Sequence, residues 1–362
     1  MAHHKNQHFV PQHYFRLFST NTTMINSLLK SSGEIKENIK IRNQCSKAYF
    51  YGSVEVEKIF GIREWQHSKL LQEILMINSK DDLAVFLQDD ENHIHLIEVI
   101  LFQRLRTNLE NNKMSELMEK LSRELLETEL KVKGEEILLE SLSNSKISLT
   151  KDWKQHILLK QIASIHNSQP ALFDLEVCIL NNQTERKFIF SDSPVVFYNK
   201  AYRHIKDRGT IGLQSPGLLI FFPISENKCL LFIDKVKYIS KAIDNQFYNI
   251  TEEFDINNIN KLQLHHSMNT VYFSQNTQHN QIKKLWKQER NDFDKSYCEV
   301  NTVDEIINGK VSKNSNLTIS HMSHLPYELN LSFLKSNIQI NEPIKQYRDE
   351  ELYKIMKNGI SN

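Results

Sequence analysis

Glycine and proline are scarce in this chain, with 9 and 7 residues among 362. No G-x-G-x-x-G and no Walker A stretch occurs. That argues against a nucleotide-binding parallel sheet, which needs glycine to bring backbone close to phosphate. A G-x-S-x-G elbow and a His-Glu-x-x-His zinc helix are also missing, which removes two familiar routes to hydrolysis. The four cysteines, Cys45, Cys178, Cys229 and Cys298, are far apart, and no pair has the spacing of a zinc knuckle or redox motif. Two of them fall in apolar, strand-like runs where a thiol acts as a small hydrophobe, so a reducing cytoplasm is the expected compartment. Charge of one sign is lacking too. With 45 basic and 44 acidic side chains the formal net charge is +1, which gives no global case for nucleic acid or an anionic membrane. No apolar run approaches the roughly 18 residues needed to span a bilayer, and the N-terminus has no apolar core of a secretory signal.

What the chain does have is an ordinary globular composition, 40% hydrophobic and 25% charged, and enough length for a large core. Its opening is dense in aromatic and ionisable side chains: His8, Phe9, His13, Tyr14, Phe15, Arg16, Leu17 and Phe18. Leaving that much apolar surface in water is costly, so this arm is expected to dock, with Lys5 to Val10 extended and a short helix after Pro11. His3 and His4 are read as a flexible terminus. Residues 25–41 pattern as a hairpin around Gly33. Val54 to Asn78 reads as a helix whose apolar stripe contains Arg63 and His67, with Glu57 and Glu64 together on its edge. His93 to Leu109 is apolar around most of its circumference, the mark of a central buried helix. It carries Gln103, Arg106 and Thr107 within one turn. An arginine there needs a carboxylate, a carbonyl or an anionic ligand. Ser115 to Lys131 and Trp153 to Ile165 are further amphipathic helices.

The pattern changes near Pro170. Strand-like runs follow at 172–180, 186–190, 195–198, 217–225 and 229–234, joined by short turns, which implies a mostly antiparallel sheet. Residues 256–270 then read as a helix bearing Asn260, His265 and His266, followed by a strand at 271–274. The adjacent His265 and His266, and the His93/His95 pair, are expected on the surface, because such neighbours point apart on a helix. After Lys283 to Asp292, which contains Trp286, the tail is polar and weakly patterned. These runs make an α+β fold, a helical N-terminal half packed on a mostly antiparallel C-terminal sheet. The expected organisation is one domain over 1–300 (arm 1–20, helical part 54–168, sheet part 170–275) with an extension over 301–362.

Several stretches together resemble the bacterial domain-of-unknown-function family numbered 4238. His8-Phe9-Val10-Pro11 with Tyr14, Arg16 and Phe18 is similar to its H-Y-V-P-x-x-Y-L-x-x-F opening. The helix with Glu57 and Glu64 is similar to its region after the opening hairpin. Gln103-x-x-Arg106-Thr107 resembles its Q-x-x-R-T motif, and Ser191-Asp192-Ser193-Pro194 its S-D-x-P motif. Pro223-Ile224-Ser225 resembles its P-L-S segment, and Asn260 with Tyr272-Phe273-Ser274 its closing helix and strand. The likeness spans roughly residues 5 to 275 in order. Phe9 stands for the usual Tyr, Ile224 for Leu, and the proline that often follows Q-x-x-R-T is missing. The resemblance implies an architecture and a set of candidate residues, not an activity.

The pooled candidates are His8, His13, Glu57, Glu64, Gln103, Arg106, Asp192 and Asn260. They come from the arm, two helices, a strand end and a late helix, and polar residues converging from many elements are typical of a site. One reading is an enzyme, of hydrolase type, on a phosphoryl-containing substrate such as a nucleotide or nucleic acid. In it His8, Asp192, Glu57 and Glu64 do acid–base work, and Arg106, Gln103, His13 and Asn260 bind substrate. The carboxylates could hold a divalent metal; the cofactor is otherwise unknown. The other reading is a non-catalytic binding or interaction protein in which the same residues form a structural network. Partners are unknown, with no membrane expected and no support for nucleic acid from net charge.

Overall fold

A computed structural model describes residues 6–205, 208–293, 296–307, 310–338 and 345–354; His3, His4 and Lys5 lie outside the described residues. The fold is α+β. The helices Val54–Met76, Lys80–Gln88, Asp90–Leu105, Asn108–Lys133 and Lys151–Ala163 each begin at a Ser, Asp or Thr whose side chain accepts from a first-turn N–H. Those residues satisfy donors that the helix itself cannot. Asp90–Leu105 is the central helix and touches the other four. Its Leu96, Ile97, Ile100, Leu101 and Phe102 are buried on several sides, as its nearly all-round apolar surface requires.

Against this layer lies a five-stranded sheet in the order Phe247–Ile250, Glu176–Asn182, Lys228–Ile233, Leu219–Pro223, Val196–Tyr198. Only the first pair is parallel. The strands Leu219–Pro223 and Lys228–Ile233 are buried along their whole length, so they read as continuous apolar runs without alternation. A second, four-stranded sheet is assembled from distant parts of the chain. The hairpin Met24–Leu29/Ile35–Lys40 pairs with Thr270–Phe273, which in turn pairs with Phe190–Ser191. Gly33 turns this hairpin at φ +70, and a Cβ there would meet the Trp286 ring at 2.6 Å. The Trp286 indole donates to the Lys30 carbonyl at 2.7 Å, so the glycine turn is also the seat of the helix His279–Glu289.

The opening arm is docked throughout. Asn6–His8 pairs antiparallel with Ser46–Ala48. The short helix Gln12–Arg16 sets Tyr14 stacked on Phe222 at 5.1 Å, and Phe15 and Phe18 against Phe190 at 5.1 and 4.5 Å. The Tyr14 hydroxyl donates to the Pro223 carbonyl. The arm thereby joins the two sheets.

The structure differs from the sequence pattern in places. The central helix stops at Leu105, and Thr107 caps a new helix that begins at Asn108. The Thr107 hydroxyl can close one turn and open the next, which periodicity alone does not register. The run 186–190 does not return beside 176–182. Only Phe190–Ser191 is strand, and it belongs to the second sheet. Beyond 292 the polar chain forms the hairpin Cys298–Ile307/Lys310–Met322 and a strand Leu334–Ser336. Leu329, Leu331 and Phe333 join the main core.

Phe190 touches Tyr14, Phe15, Phe18 and Tyr272. Phe190→Ala should therefore cost about 3–5 kcal/mol in urea unfolding. A loss below about 1 kcal/mol would mean that the arm is not part of the cooperative core.

Candidate functional site

Six of the eight candidate residues gather where the arm crosses the helices. Arg106 caps the central helix and is completely buried. Its Nη2 donates to the His8 carbonyl and lies 2.6 Å from the Glu64 carboxylate. Its Nε donates to the Tyr51 hydroxyl at 3.1 Å. Tyr51, Phe60 and Phe102 place their rings 5.8, 5.6 and 4.9 Å from the guanidinium. Burial disfavours the charge, but Tyr51 and Glu64 hold Arg106 firmly protonated. Gln103, one turn earlier, donates to the Phe9 carbonyl at 3.4 Å. Gln7 completes the seam: it donates to the Ser53 carbonyl at 2.6 Å and accepts from the Tyr51 N–H at 2.6 Å. The Q-x-x-R pair thus reads the backbone of the arm, and what it grips at residue 8 is the carbonyl rather than the imidazole.

The two arm imidazoles are neutral at pH 7. His8 rests its Nε2 on the Arg42 carbonyl at 3.1 Å, and burial pushes its pKa down. His13 is pushed down to about 3, by burial first and then by the charge of Arg106. Glu57 moves the other way. Burial pushes its carboxyl up to about 7, opposed by Arg106 and reinforced by Glu64. Glu57 Oε2 and Arg106 Nη1 are both buried without a hydrogen-bond partner among the described residues. Nearby, Arg63 and His67 both find Glu98, at 3.3 and 3.9 Å.

Asp192 and Asn260 belong to a different constellation. Both Asp192 oxygens are taken by backbone N–H groups, of Met268 at 2.8 Å, Asn269 at 2.8 Å and Thr270 at 3.2 Å. Asn260 accepts from the Ile189 N–H at 3.0 Å and donates to the Lys187 carbonyl at 2.8 Å. Gln263, one turn on, accepts from the Ser191 N–H at 3.0 Å and donates to the Pro194 carbonyl at 2.8 Å. The helix Glu253–His266 thereby satisfies the backbone of the S-D-x-P turn as a neighbouring strand would. His265 and His266 are not on the surface but buried, 4% and 3% exposed. That helix is enclosed on both of the sides to which neighbouring residues point.

The end of that helix and the turn after it, His265 to Asn269, line a cleft of about 450 Å³. Lys30, Lys113 and Arg290 line it, with Trp286 and Phe293, and no Asp or Glu is among the described residues that line it. Lys30 reaches the carbonyls of His265 and Ser267 at 2.9 and 2.6 Å. Lys113 contacts Glu110 at 2.8 Å and His266 Nε2 at 3.2 Å. His266 takes the Ser193 carbonyl on Nδ1 at 2.8 Å, and burial keeps its ring neutral. His265 is clamped between a stacked Tyr327 and an edge-on Phe293, at 5.3 and 5.4 Å. Its Nε2 meets Glu289 at 2.9 Å, while Nδ1 is buried without a partner among the described residues. None of Lys30, Lys113, His265, Glu289 and Arg290 stands out in the sequence as a site residue. The one usable signal is the His-His pair on a helix of mixed polarity. No cluster of three or more His, Cys, Asp or Glu able to hold a metal occurs among the described residues, and no helix described there is long and apolar enough to cross a membrane.

A family model, described as protein of unknown function (DUF4238), matches residues 6–277. The match covers well over half of the chain, and the chain belongs to that family. No curated protein and no solved structure matches it.

Glu57 gives the arm a pH signature. Its carboxyl ordinarily titrates at 4.5 and in the fold at about 7. The native state therefore holds a proton that the unfolded chain has released, and Glu57 subtracts stability as pH rises from 4.5 to about 7. His13, lowered to about 3, acts in the opposite sense below 6.5, so the informative quantity is a difference. The Tm of Glu57→Gln minus that of the unsubstituted protein should be near its minimum below pH 4.5, rise to about pH 7 and then level off. A difference that is flat with pH contradicts the burial of this carboxyl.

Proposed function

We propose that in this member of the family the motif residues are the scaffold, and that the protein binds a phosphoryl-bearing ligand of nucleotide type in the cleft above them. The observation that carries the reading is the lining of that cleft: Lys30, Lys113 and Arg290 around one cavity, with Trp286 and Phe293 beside them. Cations supply charge-assisted bonds to phosphoryl oxygens, and aromatic faces suit a base or sugar. The scaffold half of the reading is supported by Arg106, Gln103, Asn260 and Asp192, whose side chains are engaged with backbone groups. A cytoplasmic location belongs to the same proposal and is supported by four buried, free thiols.

Isothermal titration calorimetry with ATP tests the binding. Arg290 is exposed, so Arg290→Ala should leave Tm unchanged and weaken ATP by about five- to tenfold, and added salt should weaken it further. Absence of ATP binding, or binding indifferent to both Arg290→Ala and salt, contradicts the proposal.

A further inference from the structure

A pocket of about 320 Å³ opens beside the first hairpin, at the end away from Gly33. That volume is near the lower limit for small-molecule sites. Three cations from three parts of the chain line it. Arg16 ends the arm helix, Lys40 ends the strand Ile35–Lys40, and Arg42 lies in the short turn Ile41–Asn43. Ile41 is buried between the last two, and its N–H donates to the Thr23 carbonyl at 3.0 Å. Burial of Ile41 thereby pins Lys40 and Arg42 at this spot. Thr22 and Thr23 also line the pocket. Thr22 holds a φ of +62, a conformation that β-branched residues rarely adopt. The Asn21 side chain supports it by accepting from the Thr23 and Met24 N–H groups, at 3.1 and 2.9 Å.

Arg16, Lys40 and Arg42 are all exposed. No Asp or Glu is among the described residues that line the pocket, and Arg16 spends one donor on Gln12 Oε1 at a long 3.3 Å. Like charges gathered around one concavity without a counter-charge raise a positive potential there. An anion with several oxygens relieves it through charge-assisted bonds. We propose that this pocket binds a terminal phosphomonoester, its head held among Arg16, Lys40 and Arg42. A monoester carries close to two negative charges and three acceptor oxygens, enough to meet three separate cations, whereas a diester carries a single charge. The pocket shares no lining residue with the cationic cleft, so the proposal stands whether or not ATP binds there.

The experiment is calorimetric titration of the full chain with glycerol 3-phosphate and, in parallel, with the diester dimethyl phosphate. Glycerol 3-phosphate should bind about tenfold more tightly. The double substitution Lys40→Ala with Arg42→Ala should remove that preference at unchanged Tm, and Arg290→Ala, in the other cleft, should leave it intact. Backbone amide shifts of the unsubstituted protein should move at Thr22, Thr23 and Arg42, which locates the ligand even where the double variant does not fold. Cosedimentation with phosphatidylcholine vesicles that hold phosphatidic acid, lost in the double variant, would assign the monoester to a lipid headgroup. Glycerol 3-phosphate binding without cosedimentation assigns it to a free small molecule, and either result supports the site. No binding of glycerol 3-phosphate, equal affinity for the two probes, or amide shifts confined to 265–269 overturns the proposal.

Discussion

The capture of the arm by Arg106 is the interaction on which the rest of the structure depends. A fully buried guanidinium costs several kcal/mol unless its donors are met. Here the arm supplies one acceptor, the His8 carbonyl, and the helix Val54–Met76 another, Glu64. Tyr51 ties the arrangement together by facing both the guanidinium and the His8 carbonyl, each within 3.2 Å. Removing the arm would take one acceptor from a buried charge, and removing the charge would leave the His8 carbonyl to Tyr51 alone. This mutual need fixes the path of a terminus that would otherwise fray. It also positions Tyr14, Phe15 and Phe18 between the two sheets.

From that anchor the construction continues around the Thr107 turn. Thr107 approaches the Ser193 hydroxyl at 3.3 Å, and Ser193 presents its carbonyl to His266. Asp192, in the same turn, holds the three N–H groups that carry the chain from the helix Glu253–His266 into the strand Thr270–Phe273. The polar side chains therefore link arm, central helix, S-D-x-P turn and late helix in one continuous frame. Networks of this kind fix geometry when nearly every member is satisfied. At the outer edge of that frame His265 and His266 line the cationic cleft.

The sequence reveals the arm, the first hairpin and the major helices because each has a local cause: apolar density, a glycine turn, or a capping Ser, Thr or Asp before a periodic run. It also singles out Arg106 and Gln103, since they end a run that is apolar around most of its circumference. It does not reveal what they touch. An arginine on a buried helix can meet a ligand or a backbone carbonyl, and spacing is the same for both. The His265–His266 pair misleads because its pattern presumes one solvent-facing side, and the surrounding helix has none there. The cationic cleft is the least readable feature. Lys30, Lys113, His265 and Arg290 come from a hairpin turn, two helices and a helix end, and no local pattern joins them. The hairpin after residue 297 is hidden by its own polarity, because long strands rich in Asn, Ser and Lys lack the apolar alternation that marks a half-buried sheet.

The proposed separation of scaffold from binding surface is tested most directly by where a ligand touches. Backbone amide shifts of the isotope-labelled protein, followed while ATP is added, give that map. The expected changes cluster at Lys30, Ser31, Lys113 and 265–269, with Arg290 and Asn291, and leave His8, His13 and Glu57 still. Changes that cluster instead at His8, His13 and Glu57 would contradict the account and return the arm site to a functional role.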